Sequence, residues 1–246
     1  MPSTVIPQVA IKRLQEPKEG HNGYRGFMPG KTEIFKAGSK PFGEDTKALT
    51  SDVQLEHDVQ VVVRDGARLY IDVYRPVNFQ EKIPAVLSWS PYGKKYSALD
   101  MLPMTIWHSC VKRSDLSGLE KFEGLDPAVW CPKGYAIISV DARGAGNSDG
   151  HINVLGSQEA EDGHDVVEAV AKLPWCNGNV GMAGNSYLAI SQWYILLSCR
   201  TPDLRLTLAQ VHRVPKSSVS ESHCPLGRPL RPVPRAILPR RLVLHA

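Results

Sequence analysis

Between residues 135 and 198 the hydrophobic period changes three times, and that alternation limits the folds open to this chain more than any other feature. Tyr135-Ala136-Ile137-Ile138-Ser139-Val140-Asp141 is a short apolar run of the kind that fills a buried strand. Next comes a stretch opened by Gln158, Glu159, Glu161 and Asp162, in which Val166, Val167, Val170 and Leu173 return at spacings of three and four. Acidic residues at its start suit the positive end of a helix dipole, and Pro174 closes it. Residues 179–184 then read as a strand, and beyond Ser186 the residues Leu188, Ile190, Trp193, Tyr194 and Leu197 restore a helical pattern. Strands alternating with helices require a mostly parallel sheet with helices on its faces.

Upstream, Val59-Gln60-Val61-Val62-Val63 and Arg68-Leu69-Tyr70-Ile71-Asp72-Val73-Tyr74 flank Asp65-Gly66. Gly tolerates the positive φ of a tight turn, so these runs predict a β-hairpin ended by Pro76. Pro84-Ala85-Val86-Leu87-Ser88-Trp89-Ser90-Pro91 predicts another buried strand. Residues 92–133 lack a clear period and are expected to run as a long excursion over the top of the sheet. The first 52 residues, polar and rich in Gly, Pro and Lys, are expected to be an extended N-terminal arm. The fold class is therefore α/β, with residues 53–198 forming the domain and a leading hairpin making the sheet mixed.

At 246 residues the chain is long enough to bury a sizeable core. Its five cysteines, at 110, 131, 176, 199 and 224, are too far apart for a metal finger and are expected to be free thiols. The histidines are equally scattered, so no metal is expected. No run approaches the length of a membrane span, and the N-terminus lacks the basic start and apolar stretch of a secretory signal, so a cytoplasmic protein without a membrane partner is expected. The net charge of +4 suggests nucleic acid until it is divided along the chain. Residues 1–198 carry 20 basic and 23 acidic side chains, whereas residues 199–246 carry nine basic ones against Asp203 and Glu221. No nucleic-acid partner is expected.

Gly184-Asn185-Ser186-Tyr187-Leu188 places a serine two residues after a glycine, at a predicted strand-to-helix junction. This is the context of a nucleophile elbow, where small neighbours let strand and helix approach, as Ala183, Gly184 and Ala189 would. The usual elbow has a second glycine two residues after the serine, where this chain has Leu188. The competing assignment is a serine capping the helix N-terminus. Gly144-Ala145-Gly146-Asn147-Ser148-Asp149 nearly matches a dinucleotide loop, but Asp149 stands where the third glycine belongs. It reads as a structural loop in which Asp141 and Arg143 hydrogen-bond around the mouth of the active site.

These segments together resemble the cocaine esterase and Xaa-Pro dipeptidyl peptidase branch of the α/β-hydrolases. The resemblance covers residues 57–198. It rests on Val63-Arg64-Asp65-Gly66 with Asp72-Val73-Tyr74-Arg75-Pro76, Ser90-Pro91-Tyr92-Gly93, Asp141-Ala142-Arg143-Gly144, and Pro174-Trp175-Cys176-Asn177-Gly178-Asn179-Val180-Gly181 leading into Gly184-Asn185-Ser186-Tyr187. It implies an α/β-hydrolase fold, truncated here, with Ser186 as nucleophile and two oxyanion donors: the Tyr187 backbone N–H and the Tyr92 phenol. Asn185 would help shape the pocket. The implied substrate is a small ester or an X-Pro peptide, and no cofactor is implied.

A serine hydroxyl needs a histidine to take its proton and a carboxylate to orient that histidine, and in this fold both follow the serine in the chain. After Ser186 only Asp203 and Glu221 are acidic, with His212, His223 and His245 as the histidines. Asp203 comes too early. Residues 199–246 hold 7 of the 19 prolines and 8 of the 15 arginines, and are expected to be a disordered or out-of-frame basic tail. The edge of the last strand would then be bare and prone to aggregation. The chain is thus expected to be a catalytically incomplete serine hydrolase. The alternatives are a non-catalytic fragment whose Pro-rich tail binds partners, or an acyltransferase on the same fold.

Overall fold

A computed structural model describes residues 18–19, 24–77, 79–101, 111–198 and 207–208. In chain order the elements are β1 (Thr32–Phe35), β2 (Val53–Val62), β3 (Arg68–Pro76), β4 (Ile83–Ser90), α1 (Ala98–Met101), α2 (Pro127–Trp130), β5 (Ala136–Asp141), α3 (Ser157–Ala171), β6 (Cys176–Met182), α4 (Tyr187–Ser198) and β7 (Thr207–Leu208). Short 3₁₀ turns lie at Arg113–Asp115 and Cys131–Lys133. The strands form one sheet in the order β1-β2-β3-β5-β4-β6-β7.

The expected hairpin joins β2 to β3, with Gly66 at φ +88° and the Val63 amide donating to the Ala67 carbonyl at 3.0 Å. β1, β2, β3 and β5 pair antiparallel, whereas β5, β4, β6 and β7 pair parallel. The antiparallel part is larger than the hairpin alone, because residues 32–35 of the expected arm add an edge strand against β2. A second departure lies at the other edge. The sequence leads to a bare β6, yet Thr207 and Leu208 pair with Gly181 and Met182 in parallel.

Period-two alternation divides the core between the two faces of the sheet. On β5, Ala136, Ile138 and Val140 face one cluster, packed with Leu69, Ile71, Leu87 and Trp89 beneath Val166, Val167 and Val170 of α3. Ile137 faces the other, with Tyr74, Val86, Leu119, Ala128 and Cys131. The helix face legible as Val166, Val167 and Val170 is thus the buried one. α3 also packs closely on α4, since a Cβ at Gly163 would lie 2.3 Å from Ile195 Cδ1. Cys131 and Cys176 are free and buried; the other three cysteines lie outside the described residues. Among the described residues no helix is long and apolar enough to cross a membrane.

Candidate active site

One residue past β6, the Ala183 amide still donates to the Leu87 carbonyl of β4 at 3.0 Å. The chain then reverses into α4 within three residues. Gly184 is required there, because a Cβ would come 2.3 Å from Leu188 Cβ. Leu188, which departs from the usual glycine, is buried on the other side of that approach. Ser186 takes φ +50°, a left-handed conformation rare outside glycine, and its side chain is exposed. Its carbonyl accepts the amides of Ala189 and Ile190 at 3.0 and 3.1 Å, which starts α4. A capping serine has an extended backbone and accepts an amide through its hydroxyl. Ser186 has neither feature among the described contacts.

Tyr92 and the distant pair Ser186-Tyr187 meet around a further residue that carries no sequence signal. Glu123 lies in the excursion after β4, and its carboxylate lies beside the Ser186 hydroxyl, the Tyr92 phenol and the Tyr187 backbone N–H. Burial pushes the Glu123 carboxyl above its ordinary value, and those three donors pull it back only in part. Its Oε2 is buried without a hydrogen bond of ordinary geometry. Glu123 is itself left-handed, at φ +62°, and its carbonyl accepts the Asn185 amide at 3.0 Å. The Tyr92 ring packs edge-on against Phe122 at 5.2 Å and Tyr187 at 6.2 Å. Burial and the neighbouring Glu123 raise the Tyr92 phenol, which keeps it a donor.

The Tyr187 phenol donates to both Glu159 carboxylate oxygens at 2.9 Å. Glu159 also accepts the Trp89 indole N–H at 2.8 Å and the Leu155 amide at 2.7 Å. This buried carboxylate of α3 therefore ties β4 and the first residue of α4 together through neutral donors. The acidic start of α3 was legible as dipole compensation; that Glu159 points inward was not.

Beneath the loop after β4 lies a buried charge cluster. A bulge between Glu56 and Val59, with Asp58 at φ +48°, sends His57 and Asp58 inward. Lys94, fully buried, pairs with Asp58, with Asp141 Oδ2 at 3.0 Å and with Asp72 Oδ1 at 3.8 Å. Lys95 reaches Asp58 Oδ2 at 3.0 Å, Asp72 Oδ1 at 3.3 Å and His57 Nδ1 at 3.2 Å. His57, Asp58 and Asp72 have the spacing of metal ligands, but two ammonium groups already supply the positive charge they face. Burial opposes the charge on Lys94, yet Asp141, Asp72 and Asp58 outweigh it and hold its pKa above the ordinary value. Three carboxylates against two lysines leave one acid in excess, consistent with burial raising Asp141. Asp141, expected to hydrogen-bond around the mouth of the site, is 1% exposed and accepts both the amide and the ammonium of Lys94, two residues past Tyr92. Arg143 instead clamps Asp162 of α3 at 2.7 Å through two donors and lines a cleft with Trp89, Pro91, Ile152, Glu159 and Tyr187. The glycines of this loop permit close packing: a Cβ at Gly144 would meet the Ile152 amide at 2.4 Å, and one at Gly146 would meet Asp141 at 2.3 Å.

Among the described residues no histidine bonds to Ser186. His57 faces Glu33 at 3.0 Å and His164 faces Asp165 at 3.4 Å. Asp203, Glu221, His212, His223 and His245 lie outside the described residues.

The family described as X-Pro dipeptidyl-peptidase (S15 family) matches residues 65–227, which runs past the point near residue 198 where the family pattern was expected to stop. Cocaine esterase from Rhodococcus sp. (strain MB1 Bresler) is 32% identical over 141 residues, covering 57% of this chain and 21% of that protein. A CocE/NonD family hydrolase from Staphylococcus aureus, known as a crystal structure, superposes with a TM-score of 0.57 at 30% identity, covering 77% of this chain and 30% of the other. The chain therefore spans about a fifth of the length of the curated relatives it matches.

Proposed function

The chain belongs to the X-Pro dipeptidyl-peptidase (S15) family, and from that premise we propose that it carries the nucleophile-bearing part of an α/β serine hydrolase acting on esters or X-Pro peptides. The observation that carries this reading is Ser186: exposed, left-handed, and placed between a parallel strand and a helix. In the reaction its Oγ attacks the acyl carbon while its proton passes to a base, and the carbonyl oxygen becomes an oxyanion. The Tyr187 N–H and the Tyr92 phenol are the donors aimed at that oxygen. One such donor is worth about 3 to 4 kcal/mol of barrier. Collapse expels the alcohol or amine and leaves an acyl-serine, which water then hydrolyses.

The base and its orienting acid belong, in this fold, after the serine. Among the described residues no histidine bonds to Ser186, and His57 and His164 are engaged elsewhere, so turnover by this chain is proposed to be slow or absent. A fluorophosphonate probe tests the reading without requiring turnover. Slow labelling is expected, confined on peptide mapping to Ser186 and lost in Ser186→Ala. Equal labelling of that variant would remove Ser186 from the role.

A further inference from the structure

Resting on that reading of Ser186, Tyr92 and Tyr187, we propose that Glu123 is an occupant of the oxyanion hole supplied by the chain itself, a tethered analogue of the acid product that substrate must displace. The two donors that would hold an acyl oxygen, the Tyr92 O–H and the Tyr187 N–H, and the Ser186 O–H that would attack the acyl carbon all face the Glu123 carboxylate. A carboxylate is the product of ester or peptide hydrolysis, so its planar pair of oxygens matches what leaves the site. Placement is built into the backbone on both sides. Glu123 adopts φ +62° and its carbonyl is tied to the Asn185 amide, so the loop and the Ser186 turn hold each other in register. A non-glycine residue in this conformation persists only where its surroundings over-determine it.

The hold is incomplete, and that makes the occupant displaceable. Oε2 is buried with no hydrogen bond of ordinary geometry, and no lysine, arginine or histidine pairs with Glu123 among the described residues. An acyl oxygen that takes the Tyr92 and Tyr187 donors would return this carboxylate to water. Glu123 therefore sets a threshold: substrates whose carbonyl oxygen accepts strongly are admitted, and weak acceptors lose to the resident acid.

Phenylboronic acid, which adds the serine oxygen to boron and places a B–O⁻ in the hole, tests this by calorimetry on the full chain. Ser186→Ala should abolish binding. If the resident carboxylate holds the site nine-tenths of the time, Glu123→Ala should bind the boronate about tenfold more tightly, because only the unoccupied fraction is competent. Glu123→Asp keeps the charge but retracts the carboxylate by one methylene, and it too should bind more tightly than the parent chain. It also decides the matter if the alanine variant does not fold. Affinity unchanged or weakened in Glu123→Asp, with binding still dependent on Ser186, overturns the occupant and leaves the nucleophile intact. Absence of boronate binding in the parent and both variants overturns the site reading as well.

Discussion

At the scale of single residues, the carboxyls around the site differ in how their charge is met. Asp58 sits beside two lysines, whose attraction outweighs its burial and keeps its carboxyl below the ordinary value. Among the described residues Glu120 forms no ion pair of that kind. Its Oε2 accepts the Gly118 amide at 2.8 Å and the Ser117 hydroxyl at 3.3 Å, while Oε1 is buried and unpartnered. Burial, followed by the nearby Asp126, raises its carboxyl. A carboxyl whose folded value is raised favours the folded state while protonated, and that contribution is lost as pH rises through the folded value. Glu120→Gln should therefore raise stability by about 1 kcal/mol at neutral pH, the scale of a buried group left short of a partner. The gain should vanish below the ordinary glutamate pKa. Urea unfolding at neutral and acid pH checks this, and an equal gain at both would refute it.

At the scale of elements, the junction from β6 to α4 depends on one missing methyl group. Gly184 must lie against Leu188, because the strand ends paired to β4 and the helix starts only three residues after that glycine. Gly184→Ala forces Cβ into Leu188 and should cost about 1 to 3 kcal/mol, the usual penalty for overpacking a filled core. Labelling of Ser186 by a fluorophosphonate should fall by more than the loss of folded protein explains, since the turn itself opens. The expected helix at the same junction is found where the pattern placed it. The preceding strand starts at Cys176, three residues before the predicted run, because Ile83 of β4 pairs there across an irregular register.

At the scale of the whole molecule, the buried cluster around Lys94 binds together the bulge of β2, the middle of β3, the end of β5 and the loop after β4. Those are the elements that place Tyr92 beside Ser186. Lys94→Met would leave Asp58, Asp72 and Asp141 with Lys95 alone, and removing one partner of a buried pair costs about 3 to 5 kcal/mol. The chain should lose that much in urea unfolding at neutral pH. Acidification should narrow the deficit, because protonated carboxyls no longer need the missing cation. A deficit that stays the same on acidification would show that Lys94 acts through packing alone.

The sequence alone determined the strand and helix order and which face of α3 is buried. It also put a serine at a strand-to-helix turn, because hydrophobic period and glycine placement are local properties written residue by residue. Ser186, Tyr92 and Tyr187 could be singled out from motifs of a few residues each. The tertiary structure decided what meets them. Phe122-Glu123-Gly124 sits in a stretch without period, Asp58 is turned inward by a bulge, Glu159 points under the turn, and Thr207–Leu208 closes on β6. Each of these depends on contacts between segments distant in the chain, and no local pattern encodes which buried charge will find which partner.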